Sequence, residues 1–165
     1  MKEIVNGMTN EMKLEFDSRS ANEAFARVTV ASFMTQLNPT LEEVSDVKTA
    51  VSEAVTNAII HGYENHVNKV QIYAGIEGRT LHLEISDRGV GIPDVKKAME
   101  PLYTTGGEER SGLGFSVMES FTDRLKVTSK PGKGTSVTME KLVARRGGDT
   151  EKAPEAKSKG RAKKR

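Results

Sequence analysis

At 165 residues the chain is long enough for one layered core with a tail and too short for two cores. It has 36% hydrophobic residues, no apolar run near the ~20 residues that span a bilayer and no secretory leader pattern; zero cysteines and three scattered histidines exclude a disulfide scaffold, a cysteine nucleophile and a zinc spacing. The formal net charge of +2 is uneven: residues 141–165 hold 10 basic and 3 acidic residues, leaving 15 basic and 20 acidic for the rest, which argues against a nucleic-acid-binding body.

A cytoplasmic protein with no membrane partner is the expectation. Residues 1–11 are expected to form a flexible extension, with Met8 as an alternative start, and 12–146 a single domain. Residues 147–165 have no large aliphatic or aromatic side chain, so a disordered basic tail is expected there.

Residues 12–16 alternate Met, Leu and Phe with charges, the period of a short strand. Ser20 with Glu23, and Thr40 with Glu43 after Pro39, are two capping-box signatures. They open one helix running to about residue 37 and a second stopping near Gly62, with Gly62 as a left-handed cap. Strands at 69–77 and 80–86 bend through Gly78. A polar, glycine-rich stretch from 87 to 111 contains one helical turn around 95–99. A helix over 113–121 and strands over 124–129 and 135–142 complete the chain. Helices interrupt the strands without a βαβ rhythm, so the fold class is α+β, with helices layered on one face of a mixed, mostly antiparallel sheet.

On the second helix, Val44, Val47, Val51, Ala54, Val55 and Ala58 share one apolar stripe. Glu53 and Asn57 neighbour each other one turn apart on roughly the opposite side. Taken alone they read as an exposed polar pair. Their setting with Ala50 and Ile60, and without lysine, also suits a pocket floor, where a carboxylate can act as general base and an amide oxygen can coordinate Mg²⁺, and the residues alone leave both readings open. His61 reads as a helix-terminal histidine rather than a phosphoacceptor.

Asp87, Gly89 and Gly91 follow a strand directly, and alone they read as a capped tight turn. An aspartate there also suits an exocyclic amine as hydrogen-bond acceptor, with glycines letting the backbone pass close to a planar ligand. Gly112 and Gly114 open a helix after the polar stretch Thr104, Thr105, Arg110 and Ser111, a phosphate-binding arrangement with a lid before it. Gly134-Thr135 enters the last strand. Neither glycine loop matches the P-loop or the dinucleotide fingerprint.

In that order (Glu/Asn helix, DxGxG, GxG, GT) the four elements resemble the GHKL family of ATP-binding domains over about residues 12–141. Within it, SEAVTNAIIHGYE (52–64), FARVTVASF (25–33), PLYTT (101–105) and ERSGLGFSVMESF (109–121) look most like the anti-sigma F branch of spore-forming bacteria. The resemblance implies a Bergerat-type two-layer α/β sandwich that binds ATP or ADP with Mg²⁺. It implies Glu53 as the catalytic base, Asn57 as the Mg²⁺ ligand, and Asp87 as the adenine-reading carboxylate in a pocket shaped by Gly89 and Gly91. Thr104, Thr105, Arg110 and Ser111 match the ATP lid, Gly112 and Gly114 the phosphate-binding helix start, and Thr135 the adenine end. Arg27 matches a partner-contacting arginine.

The implied function is a homodimeric anti-sigma factor that holds a sporulation sigma factor. It also phosphorylates a serine of an anti-anti-sigma protein. A stress-response anti-sigma kinase, or an ATP-gated sigma-binding module without phosphotransfer, shares most of these residues. Gly106-Gly107 in the lid and the basic tail depart from the family pattern.

Overall fold

The computed structural model describes residues 7–100 and 113–146. In chain order these form β1 (Asn10–Asp17), α1 (Ala21–Met34), a 3₁₀ turn (Thr35–Leu37), α2 (Leu41–Asn57) and a π turn (Ala58–Gly62). Then come β2 (Lys69–Glu77), β3 (Thr80–Asp87), α3 (Val95–Ala98), α4 (Phe115–Phe121), β4 (Arg124–Lys130) and β5 (Gly134–Leu142). The expected boundary at residue 12 is corrected: Asn10 and Glu11 are in β1, and the Thr9 N–H already donates to the Ile76 carbonyl at 2.8 Å.

The sheet order is β1-β2-β3-β5-β4, and every neighbouring pair is antiparallel. The expected mixed sheet is therefore corrected to a wholly antiparallel one. The chain leaves β3, runs through α3 and α4, enters at the edge as β4 and turns back as β5, so no parallel neighbours arise. Alternate residues of each strand face the helices: Val70, Ile72, Ala74 and Ile76 on β2, Leu81, Leu83 and Ile85 on β3, Val137 and Met139 on β5. They pack with Ala26, Val30 and Met34 of α1 and with the stripe of α2 in one core, the two-layer arrangement expected. Among the described residues no helix is long and apolar enough to cross a membrane.

The two capping signatures part company. Thr40 is extended, its hydroxyl accepts from the Glu43 N–H at 3.0 Å, and Glu43 Oε2 accepts the Thr40 N–H at 2.8 Å, a complete box. Ser20 has helical dihedrals and makes no side-chain cap. Its partner Glu23 is drawn away, by a tertiary contact from Thr56 Oγ1 at 3.1 Å and by Arg27 one turn on in the same helix at 3.3 Å. Thr40→Ala is therefore expected to cost about 1 kcal/mol and Ser20→Ala only a few tenths. Urea unfolding of both variants checks this; equal losses would contradict the geometry.

On α2, Val47, Val51, Ala54, Val55 and Ala58 are buried as expected and Val44 is partly so, but Ala50 is corrected to the core, fully buried. Ile60, in the π turn, is 45% exposed. The helix does not end on a left-handed Gly62. It passes into the π turn, and the left-handed residues are Glu64 and Asn65. Gly62 is needed for space: a Cβ there would lie 2.8 Å from Asp87 Oδ1.

Candidate functional site

A cleft of about 410 Å³, its open mouth included, lies where α2 and its π turn meet the end of β3, the start of β5 and the start of α4. Its walls are mostly apolar: Ala54, Ala58, Ile85, Ile92, Leu113, Phe115 and Val137. Asn57, His61, Asp87 and Thr135 are its polar side chains, and Gly62 and Gly91 contribute backbone. A mostly apolar slot with a few fixed polar groups is the usual form of a small-molecule site.

Asp87 ends β3 inside this slot, opposite Thr135 in the β3–β5 register. Its Oδ1 accepts the Gly89 N–H at 2.8 Å. Burial pushes its carboxyl above the ordinary value, against the lowering pull of the Gly89 and Thr135 N–H groups. The charged form is thus under-solvated and favours a ligand that donates a hydrogen bond.

The turn after Asp87 lies against the end of α2. The Val90 N–H donates to the Gly62 carbonyl at 2.9 Å, and a Cβ on Gly89 would lie only 1.9 Å from that oxygen. Gly91 has φ +75°. Tyr63, a residue sequence reasoning missed, locks this junction: its hydroxyl donates to the Lys69 carbonyl at 2.5 Å and accepts the Arg88 N–H at 2.8 Å. A buried tyrosine just past the helix end was the available signal, since its hydroxyl needs partners. Ser129 was missed as well. Its Oγ accepts the Ile92 N–H at 2.8 Å, donates to the Gly134 carbonyl at 2.9 Å and lies 2.8 Å from Thr135 Oγ1. Thr135 therefore anchors the loop through Ser129 as well as lining the cleft.

Asn57 sits on the cleft wall at the flank of the apolar stripe, rather than opposite it. Its Nδ2 donates to the Leu113 carbonyl, so Oδ1 is the amide atom left for a ligand. Glu53, one turn earlier, is outside the cleft and lines a groove between α1 and α2 together with Arg27. Its carboxylate packs on Gly114, where a Cβ would lie 2.1 Å from Oε2. Gly114 is the N-cap of α4 at φ +66°, so both its dihedral and this contact call for glycine. Arg27 is half-exposed and pairs with Glu23. Thr104, Thr105, Arg110, Ser111 and Gly112 lie outside the described residues. Among those described, no cluster of three acidic or histidine side chains is placed to hold a metal ion.

The profile of the histidine kinase-like ATPase domain matches residues 16–141. The chain belongs to the histidine kinase-like ATPase family. Its GHKL-type fold is thereby shown, and a domain of this family binds nucleotide. Within the family, the chain is 60% identical over 138 residues to an anti-sigma F factor of Clostridium acetobutylicum, covering 83% of this chain and 96% of that one. It is 57% identical over 136 residues to the anti-sigma F factor of Thermoanaerobacter sp., and 55% over 140 residues to that of Geobacillus kaustophilus, covering 95% and 96% of those proteins. A structure of the RsbU and RsbW domains of a Mycobacterium tuberculosis protein superposes on 83% of the chain and 33% of its own length, with a TM-score of 0.61 at 18% identity, a likeness of fold.

Proposed function

We propose that this protein is an anti-sigma factor of the sigma F type and, with ATP as phosphoryl donor, a protein-serine kinase. As a homodimer with ATP bound it holds a sporulation sigma factor. It inactivates the anti-anti-sigma antagonist by phosphorylating one of its serines. The observation that carries this reading is the position of Glu53, at the junction between the cleft and an open groove, one helical turn from Asn57. The names of relatives 55–60% identical over nearly their whole length support the same reading.

In this mechanism Asp87 accepts a hydrogen bond from the adenine amine, and the apolar walls cover the ring. Thr104, Thr105, Arg110, Ser111, Gly112 and Gly114 hold the phosphates, the first five assigned from the family pattern alone. Glu53 takes the proton of the serine hydroxyl as its oxygen attacks the γ-phosphorus. The bond to the β-phosphate oxygen breaks, and ADP leaves. Mg²⁺, when bound, neutralises charge on the phosphates. One protein oxygen fits an ion that takes its remaining ligands from phosphate and water, and Asn57 Oδ1 would supply it.

The test is transfer of label from γ-labelled ATP to the antagonist protein. Label on serine supports the kinase reading; intact ATP binding and sigma retention without transfer would leave an ATP-gated sequestering module. Asp87→Asn tests the adenine assignment. Asparagine keeps an oxygen for the Gly89 N–H but loses the charge-assisted bond, about 1.5–3 kcal/mol, so ATP affinity should fall roughly 10- to 150-fold. Calorimetric titration with ATP checks it, and unaltered affinity would place adenine elsewhere.

The same substitution has a pH signature. Because folding raises the Asp87 pKa, its contribution to stability is full below the ordinary carboxylate range and is lost as pH rises through the raised value. Removing the carboxylate removes that loss, so at neutral pH the ligand-free variant should be at least as stable as wild type.

A further inference from the structure

We propose that the open face of the sheet carries a second ligand site, for a phosphate dianion, back to back with the nucleotide cleft. A shallow hollow with about 810 Å³ of open space lies on the face turned away from the helices, across β2, β3, β5 and β4. Its floor is a transverse row of polar residues: Gln71 pairs with Ser86, Ser86 with Ser136, and Ser136 with Thr128. Arg88, Lys130 and Lys133 border the same hollow.

Two separate segments bring these cations together. Arg88 follows β3, an interior strand, while Lys130 and Lys133 belong to the β4–β5 hairpin. Gly134 permits the approach: it pairs with Lys130, and a Cβ there would lie 2.7 Å from the Arg88 Cα. Residues 124–133 hold four cations and no acid, whereas residues 1–140 hold 15 basic and 20 acidic residues. Lysine on an edge strand commonly serves to block edge pairing. That role explains neither Arg88, beyond an interior strand, nor Lys133, in a turn.

All three cations are exposed, and none has an ion-pair partner among the described residues. Of the two acids at the hollow, Glu84 accepts the Ser136 hydroxyl at 2.9 Å, and the Asp87 carboxylate is turned to Gly62 and Gly89 on the cleft side. Three positive charges thus repel one another beside a floor of hydroxyl donors. A single carboxylate offsets one of them, whereas a tetrahedral dianion offers oxygens to all three, with Ser86 and Thr128 as further donors. No aromatic side chain borders the hollow, so it has no platform for a nucleic-acid base.

Shared backbone couples this site to the cleft. Asp87 and Thr135 border both. The Gly132 N–H donates to the Val90 carbonyl at 2.7 Å, and the Ile92 N–H to Ser129 Oγ at 2.8 Å. The segments that carry the cations therefore also close the loop beside the cleft. Repulsion between Arg88 and the hairpin lysines works against that closure, and a bridging anion removes it. Phosphate on one face should tighten nucleotide on the other, and by linkage the reverse. The coupling rests on nucleotide occupying the cleft; the anion site stands without it.

The experiment uses the full chain, with Lys130→Gln and Lys133→Gln made singly and together. Both side chains lie outside the cleft, and unchanged thermal melts show that the fold is intact. With the cleft saturated by a non-hydrolysable ATP analogue, inorganic phosphate is titrated calorimetrically at constant ionic strength, with chloride as the balancing anion. Wild type should bind one phosphate per chain, each single variant about fivefold more weakly and the double variant not measurably. Saturating phosphate should raise analogue affinity about threefold in wild type and leave it unchanged in the double variant. No phosphate binding by the saturated wild type, or equal binding by all the variants, overturns the site. Phosphate binding that the variants lose, with no change in analogue affinity, upholds the site and overturns the coupling. If the analogue itself does not bind, the nucleotide reading fails, and the same titration of the ligand-free chain, wild type against the double variant, still decides the site. Glycerol 3-phosphate in place of phosphate separates the sources: tighter binding assigns the site to a phosphomonoester, equal or weaker binding to the free ion.

Discussion

Gly89→Ala is expected to lower unfolding stability by about 3 kcal/mol or more and to abolish measurable ATP binding. The added methyl would lie 1.9 Å from the Gly62 carbonyl oxygen, which accepts the Val90 N–H. Small-to-large changes in packed interiors typically cost about 1–3 kcal/mol when flexible side chains can give way. Here the obstacle is backbone. Gly62 also has little room to retreat, because its own Cα hydrogens face the Asp87 carboxylate. Relief has to come from separating the α2 end from the β3 end, which moves Asp87 off its floor. Gly78→Ala is the matching control: φ is +57° there, but a Cβ meets nothing within 4 Å, so the cost should be the dihedral strain alone, about 1–2 kcal/mol. Urea unfolding with ATP calorimetry on both variants separates the effects. Equal losses, or an ATP affinity for Gly89→Ala like that of wild type, would show that the close approach is not what the site depends on.

Glu53→Gln should slow phosphoryl transfer to the antagonist by about 10²–10⁴-fold, the usual contribution of a positioned general base. ATP affinity should stay within about twofold, since Glu53 lies outside the cleft that receives the nucleotide. Glutamine is the informative replacement because it keeps the packing against Gly114 and removes only the basicity; alanine would open a gap there. Single-turnover transfer of label, measured beside calorimetric ATP binding and retention of the sigma factor, reads the three quantities apart. Unchanged transfer would remove Glu53 as the base. A large loss of ATP affinity would instead make it part of the nucleotide site.

Why one capping signature formed and the other did not illustrates what is local. Thr40 and Glu43 close a hydrogen-bonded loop within four residues through Glu43 Oε2, and the distant Ala144 N–H takes only the other carboxylate oxygen, Oε1, at 3.2 Å. Glu23 has the same local option, but Thr56, 33 residues away, and Arg27 take its carboxylate. The same division runs through the site. Asp87 at a strand end, with glycines following, is visible in the chain, and so is the Glu53–Asn57 spacing. That Asn57 turns its amide to the Leu113 carbonyl, 56 residues on, and that Tyr63 ties the Arg88 N–H across 25 residues, is not.

The sequence by itself determined the order of helices and strands, the alternation that puts one sheet face under the helices, the capped start of α2 and the identity of the glycine-bounded loops. Each rests on hydrogen bonds or apolar periods within a few residues. Only the tertiary structure decided that the sheet is wholly antiparallel, that Ala50 is core and that Gly62 serves for space rather than as a cap. It alone set Glu53 in the groove and Asn57 in the cleft. Those outcomes depend on which distant backbone comes within 3 Å of which side chain, and a linear pattern carries no record of that distance.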